Sequence, residues 1–250
     1  MWRLRLGESS GLALVLLVCT LLAAGHANAT TLDWDVVGWP GGLGTLQNTF
    51  SDVDASGVDI DVTFVDSSPA SLSLSPNVNN ALTPPSSPGD DLFIQADGNN
   101  DTSGIVVTFD FSGVLGVTFL SFNLFDVDSG IGPGWTDIID LSASPMAGGP
   151  AVLPTSVLPA NASPSWSYNS GSGRITGNAT SASDSDNGTA LVTFATPITS
   201  FQLVYLNDHD DAGNQLIGIS DVTFTPVPES DTLPLLASGL ALLGLLRRRA

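Results

Sequence analysis

The sequence predicts an all-β protein: a single β-sandwich or jelly-roll-like domain, flanked by an N-terminal signal helix and a C-terminal transmembrane helix. Three observations predict it. Apolar and polar residues alternate with period two in segments such as Val58-Asp59-Ile60-Asp61-Val62-Thr63-Phe64, the pattern of a strand with one buried face. Clusters of Gly, Pro, Asn, Ser and Asp punctuate the chain at short intervals, as turns between many strands require. No window between residues 30 and 226 shows the 3.6-residue period of an amphipathic helix.

Residues 1–29 read as a secretory signal peptide. Arg3 and Arg5 supply a positive start, Leu12 to Ala24 an apolar stretch, and Ala27-Asn28-Ala29 a small-residue cleavage site. The lone cysteine, Cys19, falls inside this segment. The body from Thr30 to Pro226 therefore uses no disulfide, although an exported compartment would permit one.

Within that body the expected strands follow in order: 31–37, 58–64, 92–95, 105–111, 117–127, 137–141, 165–168, 173–176, 189–194, 200–206 and 216–224. The segment 117–127 is long enough to be a central strand. Residues 67–88 and 142–164, rich in Pro, Ala and Ser, read as long loops, the second with one extended piece. No internal repeat is present, which argues against a solenoid or propeller, and regular short strands favour a sandwich.

The charge of the body is extreme. It carries 22 Asp, no Glu and no Lys, and one basic residue, Arg174, for a formal charge of −21. Phosphate binding needs protein cations, so nucleic acid is excluded as a partner. Aspartate favours turns and also serves calcium. Asp126 and Asp128, two apart in Phe125-Asp126-Val127-Asp128, project from one face of an expected strand. Together with Asp137, Asp208 and Asp221 they form the candidate calcium ligands, brought together by loops at one end of the sandwich. An EF-hand is absent: Asp97, Asn99 and Asp101 have its opening spacing, but Thr102 replaces its glycine.

Catalysis has little to stand on. The body has one histidine, His209, no cysteine and no Gly-x-Ser-x-Gly elbow, so the expectation is a non-enzymatic protein. A secreted glycosidase using two of the aspartates is an alternative. A carbohydrate-binding module is another, with Trp39, Trp135 and Trp166 as the aromatic residues able to stack on sugar rings.

Residues 227–250 are the most specific stretch. A polar head, Val227-Pro228-Glu229-Ser230-Asp231, precedes an apolar run from Leu233 to Leu246, and Arg247, Arg248 and Arg249 follow. As a helix at about 1.5 Å per residue, some 15 apolar residues reach roughly 22 Å. That is shorter than a hydrocarbon core of about 30 Å, while the arginines favour the cytoplasmic side and can snorkel. The order of head, short apolar helix and arginine end resembles the PEP-CTERM sorting signal, which exosortase enzymes of Gram-negative bacteria recognise and cleave. Pro228, Glu229 and the three arginines carry the likeness, and Ser230 stands where the usual head has a second proline. Residues 198–224 and 122–130 are similar to strands of the β-sandwich bodies that often precede such a tail. The resemblance implies a protein held briefly in the inner membrane, processed by an exosortase, and delivered to the cell surface or extracellular matrix. There its partners would be exopolysaccharide or other surface components, and its role structural or adhesive, in biofilm or floc.

Overall fold

The computed structural model describes residues 28–66, 72, 75–87, 89–97, 104–130, 134–207 and 214–228. Among the described residues there are fifteen strands. In chain order they are β1 (Thr30–Leu32), β2 (Gln47–Phe50), β3 (Asp59–Asp66), β4 (Asn77–Asn79), β5 (Asp91–Asp97), β6 (Gly104–Ser112), β7 (Gly116–Phe125) and β8 (Asp137–Pro145). Then come β9 (Ser156–Pro159), β10 (Trp166–Asn169), β11 (Arg174–Gly177), β12 (Ala190–Phe194), β13 (Ile198–Asn207), β14 (Asn214–Ile219) and β15 (Val222–Val227). One short helix, α1 (Trp34–Val37), follows β1. All strand pairings among the described residues are antiparallel, so the all-β expectation holds.

The strands form one hydrogen-bonded network that curls over on itself. One layer runs β2–β3–β6–β13–β8–β11–β10. The other is centred on β7. β12 and then β9 lie on one side of it, and β15 with β1 and β14 with β5 and β4 on the other. The two layers join at a corner where Ile198 pairs with Val117.

The core lies between the layers, and its aromatic rings bridge them. Phe122 of β7 stacks on Phe201 of β13 at 5.0 Å, and Phe201 stacks on Phe109 of β6 at 4.4 Å. Phe111 of β6 meets Phe224 of β15 at 5.5 Å. Such contacts add to the transfer of large apolar surfaces from water. The period-two pattern of β3 works as expected: Ile60, Val62 and Phe64 are buried, while Asp59, Asp61 and Thr63 turn outward.

Local differences from the sequence reading have physical causes. The expected strand 31–37 ends at Leu32, because Asp33 caps a helical turn by accepting from the Val36 N–H. Asp221 supports the same turn by accepting from the Trp34 N–H at 2.9 Å. The expected strand 216–224 is two strands, broken at Ser220-Asp221 so that one segment pairs with β5 and the next with β1. β4 lies in the expected loop 67–88, and β9 is the extended piece of the loop 142–164. Among the described residues no helix is long and apolar enough to cross a membrane. The expected signal segment, apart from Asn28 and Ala29, and the tail from Glu229 onward lie outside the described residues.

Candidate functional site

Two places gather polar side chains. The first is a cluster of buried carboxylates at one end of the sandwich. Asp126 and Asp128 follow β7, Asp137 opens β8, and all three are at most 8% exposed. Their positions are fixed by backbone bonds between the connecting segments. The Asp137 N–H donates to the Asp128 carbonyl and the Val127 N–H to the Gly188 carbonyl. Gly177 must lack a side chain here, since a Cβ would sit 1.8 Å from the Asp128 carbonyl oxygen.

The carboxylate oxygens have protein partners. Asp137 accepts from the Tyr205 hydroxyl at 2.7 Å and from the Asp128 N–H at 3.1 Å. Asp128 accepts from the Ser181 N–H at 2.7 Å and from its hydroxyl at 3.2 Å. Asp91, at the start of β5, joins this group electrostatically and is fully buried. Its Oδ2 accepts from the Thr83 hydroxyl at 2.9 Å, and the Leu82 backbone also bonds this carboxylate. Gly218 leaves it room, because a Cβ there would lie 2.9 Å from Oδ1.

Burial raises these acids. Desolvation, with the Asp128 charge next in weight, pushes Asp126 up to about 7. Desolvation also pushes Asp91 up to about 7 and Asp128 to about 6. Asp137 is held well above the ordinary carboxylate range by its complete burial, and Tyr205 beside it is raised for the same reason.

The candidate calcium ligands are thus brought together only in part. Asp126, Asp128 and Asp137 are neighbours. Asp221 is elsewhere, at the N-terminus of α1, where its charged neighbours are Asp33, Asp35 and Asp90. Asp208 lies outside the described residues. Among the described residues no three histidine, cysteine or acidic side chains converge closely enough to hold a metal ion. Asp91 was missed in the sequence, because β14 separates it from β7 and no spacing relates residue 91 to residue 126.

The tryptophans expected to stack on sugars are placed differently. Trp39 is buried against Phe64, ring centroids 5.5 Å apart, and its indole N–H donates to the Thr45 carbonyl. Trp166 is buried and donates to the Thr189 carbonyl. Neither offers a ring face to a ligand. A Gly or Ser neighbour marks a turn or strand end but does not say which way the indole points. Trp135 is half-buried, lying against Gly130. Of the sorting residues, Pro228 is exposed just after β15, and Glu229, Arg247, Arg248 and Arg249 lie outside the described residues.

The second place is the outer face of the seven-strand layer. Arg174 of β11 and Asp140 of β8 are directly opposite each other. The guanidinium donates from Nε to Oδ1 and from Nη2 to Oδ2, both at 2.7 Å. This fork fixes two planar groups side by side. They line an open groove of about 460 Å³ with Ser142, Asn169, Leu153 and Val204. From the groove the face continues over β13, β6, β3 and β2, where the outward residues are mostly hydroxyl, amide, Asp or Val, with Leu206 at one edge.

No protein-family model matches this chain, and no curated protein matches it. Among solved structures it is similar to a family 11 carbohydrate-binding module from Clostridium thermocellum, solved in complex with a β-1,3-1,4-mixed-linked tetrasaccharide. The two are 12% identical, with 80% of this chain and 97% of that chain covered and a TM-score of 0.32. A likeness at that level carries no argument about what this chain binds.

Proposed function

We propose that this protein is an exported, non-catalytic component of the cell surface or extracellular matrix, with a structural or adhesive role exerted by contact with polysaccharide. The observation that carries this reading is the open outer face of the seven-strand layer, with the Arg174–Asp140 pair fixed at 2.7 Å in its groove. Planar paired donors and acceptors suit the vicinal hydroxyls of sugars. Among the groove's lining residues the one carboxylate is Asp140, and both its oxygens accept from Arg174. The two independent carboxylates of a glycosidase are not found in that groove.

The sorting tail supplies the address. The apolar run 233–246 would dwell in the inner membrane until an exosortase cleaves near Pro228 and frees the body. Intact mass and fractionation of the native protein test this part. The expected product ends near Pro228 in the surface or medium fraction. A full-length C-terminus retained in the inner membrane overturns the sorting. Retention of the protein on insoluble matrix polysaccharide tests the contact, and Arg174→Gln should release it.

A further inference from the structure

We infer that the outer face binds a neutral, extended glycan chain lying across the strands, one sugar after another, from the Arg174–Asp140 groove toward β2. This rests on the polysaccharide-contact reading and specifies its ligand class and path.

The strand register lays out two parallel rows. The first runs Asn169, Arg174, Asp140, Val204, Val106 and Val65, each directly opposite the next. The second runs Ser142, Gln202, Thr108, Thr63 and Gln47. Every one of these eleven residues is partly or fully exposed. Beyond its charged end the first row is apolar and β-branched. The second is entirely hydroxyl or amide. A sugar ring has the same two characters: apolar C–H faces and a hydroxyl edge. Lying between the rows, a chain sets its C–H groups on Val204, Val106 and Val65 and its hydroxyls against Gln202, Thr108 and Thr63.

Length and charge narrow the occupant. Seven strands at about 4.8 Å spacing make a face roughly 29 Å wide, so the site is matched to an oligosaccharide rather than a single ring. Charge excludes an acidic polymer. The next row over presents Asp110 opposite Asp61, and the body as a whole has 22 Asp against one Arg. A polyuronate would meet repulsion along the whole face, whereas a neutral chain meets none. The Thr49 hydroxyl donates to Asp61 and Gln202 donates to Thr108 at 3.4 Å. In the second row Gln202 and Thr108 are therefore already paired before any ligand arrives, which lowers the ordering cost of binding there.

The test uses the full-length protein in detergent micelles, titrated by calorimetry with neutral β-linked glucan oligosaccharides from disaccharide to octasaccharide. Affinity should rise with length by roughly tenfold or more across that ladder. Thr63→Val with Thr108→Val keeps volume and strand preference while removing two hydroxyls. That variant should lose the gain for the long chains and bind the trisaccharide as the parent does. Arg174→Gln should weaken every length. Affinity that does not change with length, an octasaccharide that binds the valine variant normally, or a preference for polyuronate would each overturn this inference while leaving polysaccharide contact standing. Binding to no glycan of any length or charge would remove the parent reading as well.

Discussion

Tyr205 donates its hydroxyl to Asp137 at 2.7 Å, and both residues are buried near the ends of two neighbouring strands. β13 passes β8 with Asn207 opposite Asp137 and Tyr205 opposite Ile139, so the phenol reaches diagonally to the carboxylate. Tyr205→Phe keeps the ring and deletes the donor, leaving Asp137 Oδ1 buried without that partner. The expected loss is about 1–3 kcal/mol, read from urea unfolding. A variant as stable as the parent would show that the bond contributes nothing.

Stability should fall as pH rises. Asp91 and Asp126 are raised to about 7 and Asp128 to about 6. Their folded values exceed the unfolded carboxylate value of about 3.9. Between about pH 4 and pH 7 the folded state therefore binds more protons than the unfolded state, and unfolding free energy decreases with pH. Melting temperature should be higher at pH 5 than at pH 8.5. General repulsion among the aspartates has the same sign, so the decisive variant is Asp126→Asn, expected to flatten the profile relative to the parent. A parental profile in that variant would place the effect outside the buried cluster.

The carboxylates as placed do not converge on a cation among the described residues. Calcium would have to draw them together at the expense of the Ser181 and Tyr205 hydrogen bonds of Asp128 and Asp137. The expected outcome is therefore the same melting temperature in millimolar calcium and in chelator, at pH 5 and at pH 8.5. A rise with calcium at pH 8.5 that Asp126→Asn reduces would show that the cluster rearranges around the ion, since a cation and protons compete for the same carboxylates and bound ligand stabilises the folded state by mass action.

Trp39→Ala and Trp166→Ala should act on stability. Trp39 packs among Phe50 and Phe64, and Trp166 is buried with its N–H bonded to the Thr189 carbonyl. Truncating buried aromatics of this kind costs about 3–5 kcal/mol. Denaturant midpoints should drop for both. Loss of glycan binding by either variant with an unchanged midpoint would return the indoles to the role their sequence setting suggested.

What the sequence makes legible is what alternation and local spacing encode. The inward set Ile60, Val62 and Phe64 could be named from period two alone. Asp126 and Asp128 are near each other as their spacing suggests, but not through strand alternation: β7 stops at Phe125 and Asp126 takes a positive φ of 62°. The α1 turn could not. Val36 and Val37 favour a strand, and one of the two carboxylates that stabilise the turn, Asp221, comes from the other end of the body. The same reason hides Asp91 from Asp126 and spreads the Thr63, Thr108, Gln202 row over three distant segments. Each is a product of strand order, and nothing local in the chain announces which strands become neighbours. The indole directions failed for a different reason: a turn composition fixes the backbone path but leaves the side-chain rotamer to tertiary packing.

Gly177 joins these threads, since it ends β11 where that strand passes the Asp128 backbone. A methyl group there would lie 1.8 Å from the Asp128 carbonyl oxygen and 2.3 Å from its carbon. The obstruction is backbone, so no rotamer change relieves it. Trp166 is paired with Gly177 on one side, and the Ser129 N–H bonds the Ala179 carbonyl close by, so neither chain is at liberty to retreat. Gly177→Ala should therefore displace Asp128 from Ser181 and Asp137 and destabilise the protein by more than the roughly 1 kcal/mol of an average substitution. The pH profile gives a second reading: with the cluster pulled apart, the fall in stability between pH 5 and pH 8.5 should shrink. Gly177→Ala with parental stability and a parental pH profile would show that β11 and the Asp128 segment are not packed as closely as this geometry has them.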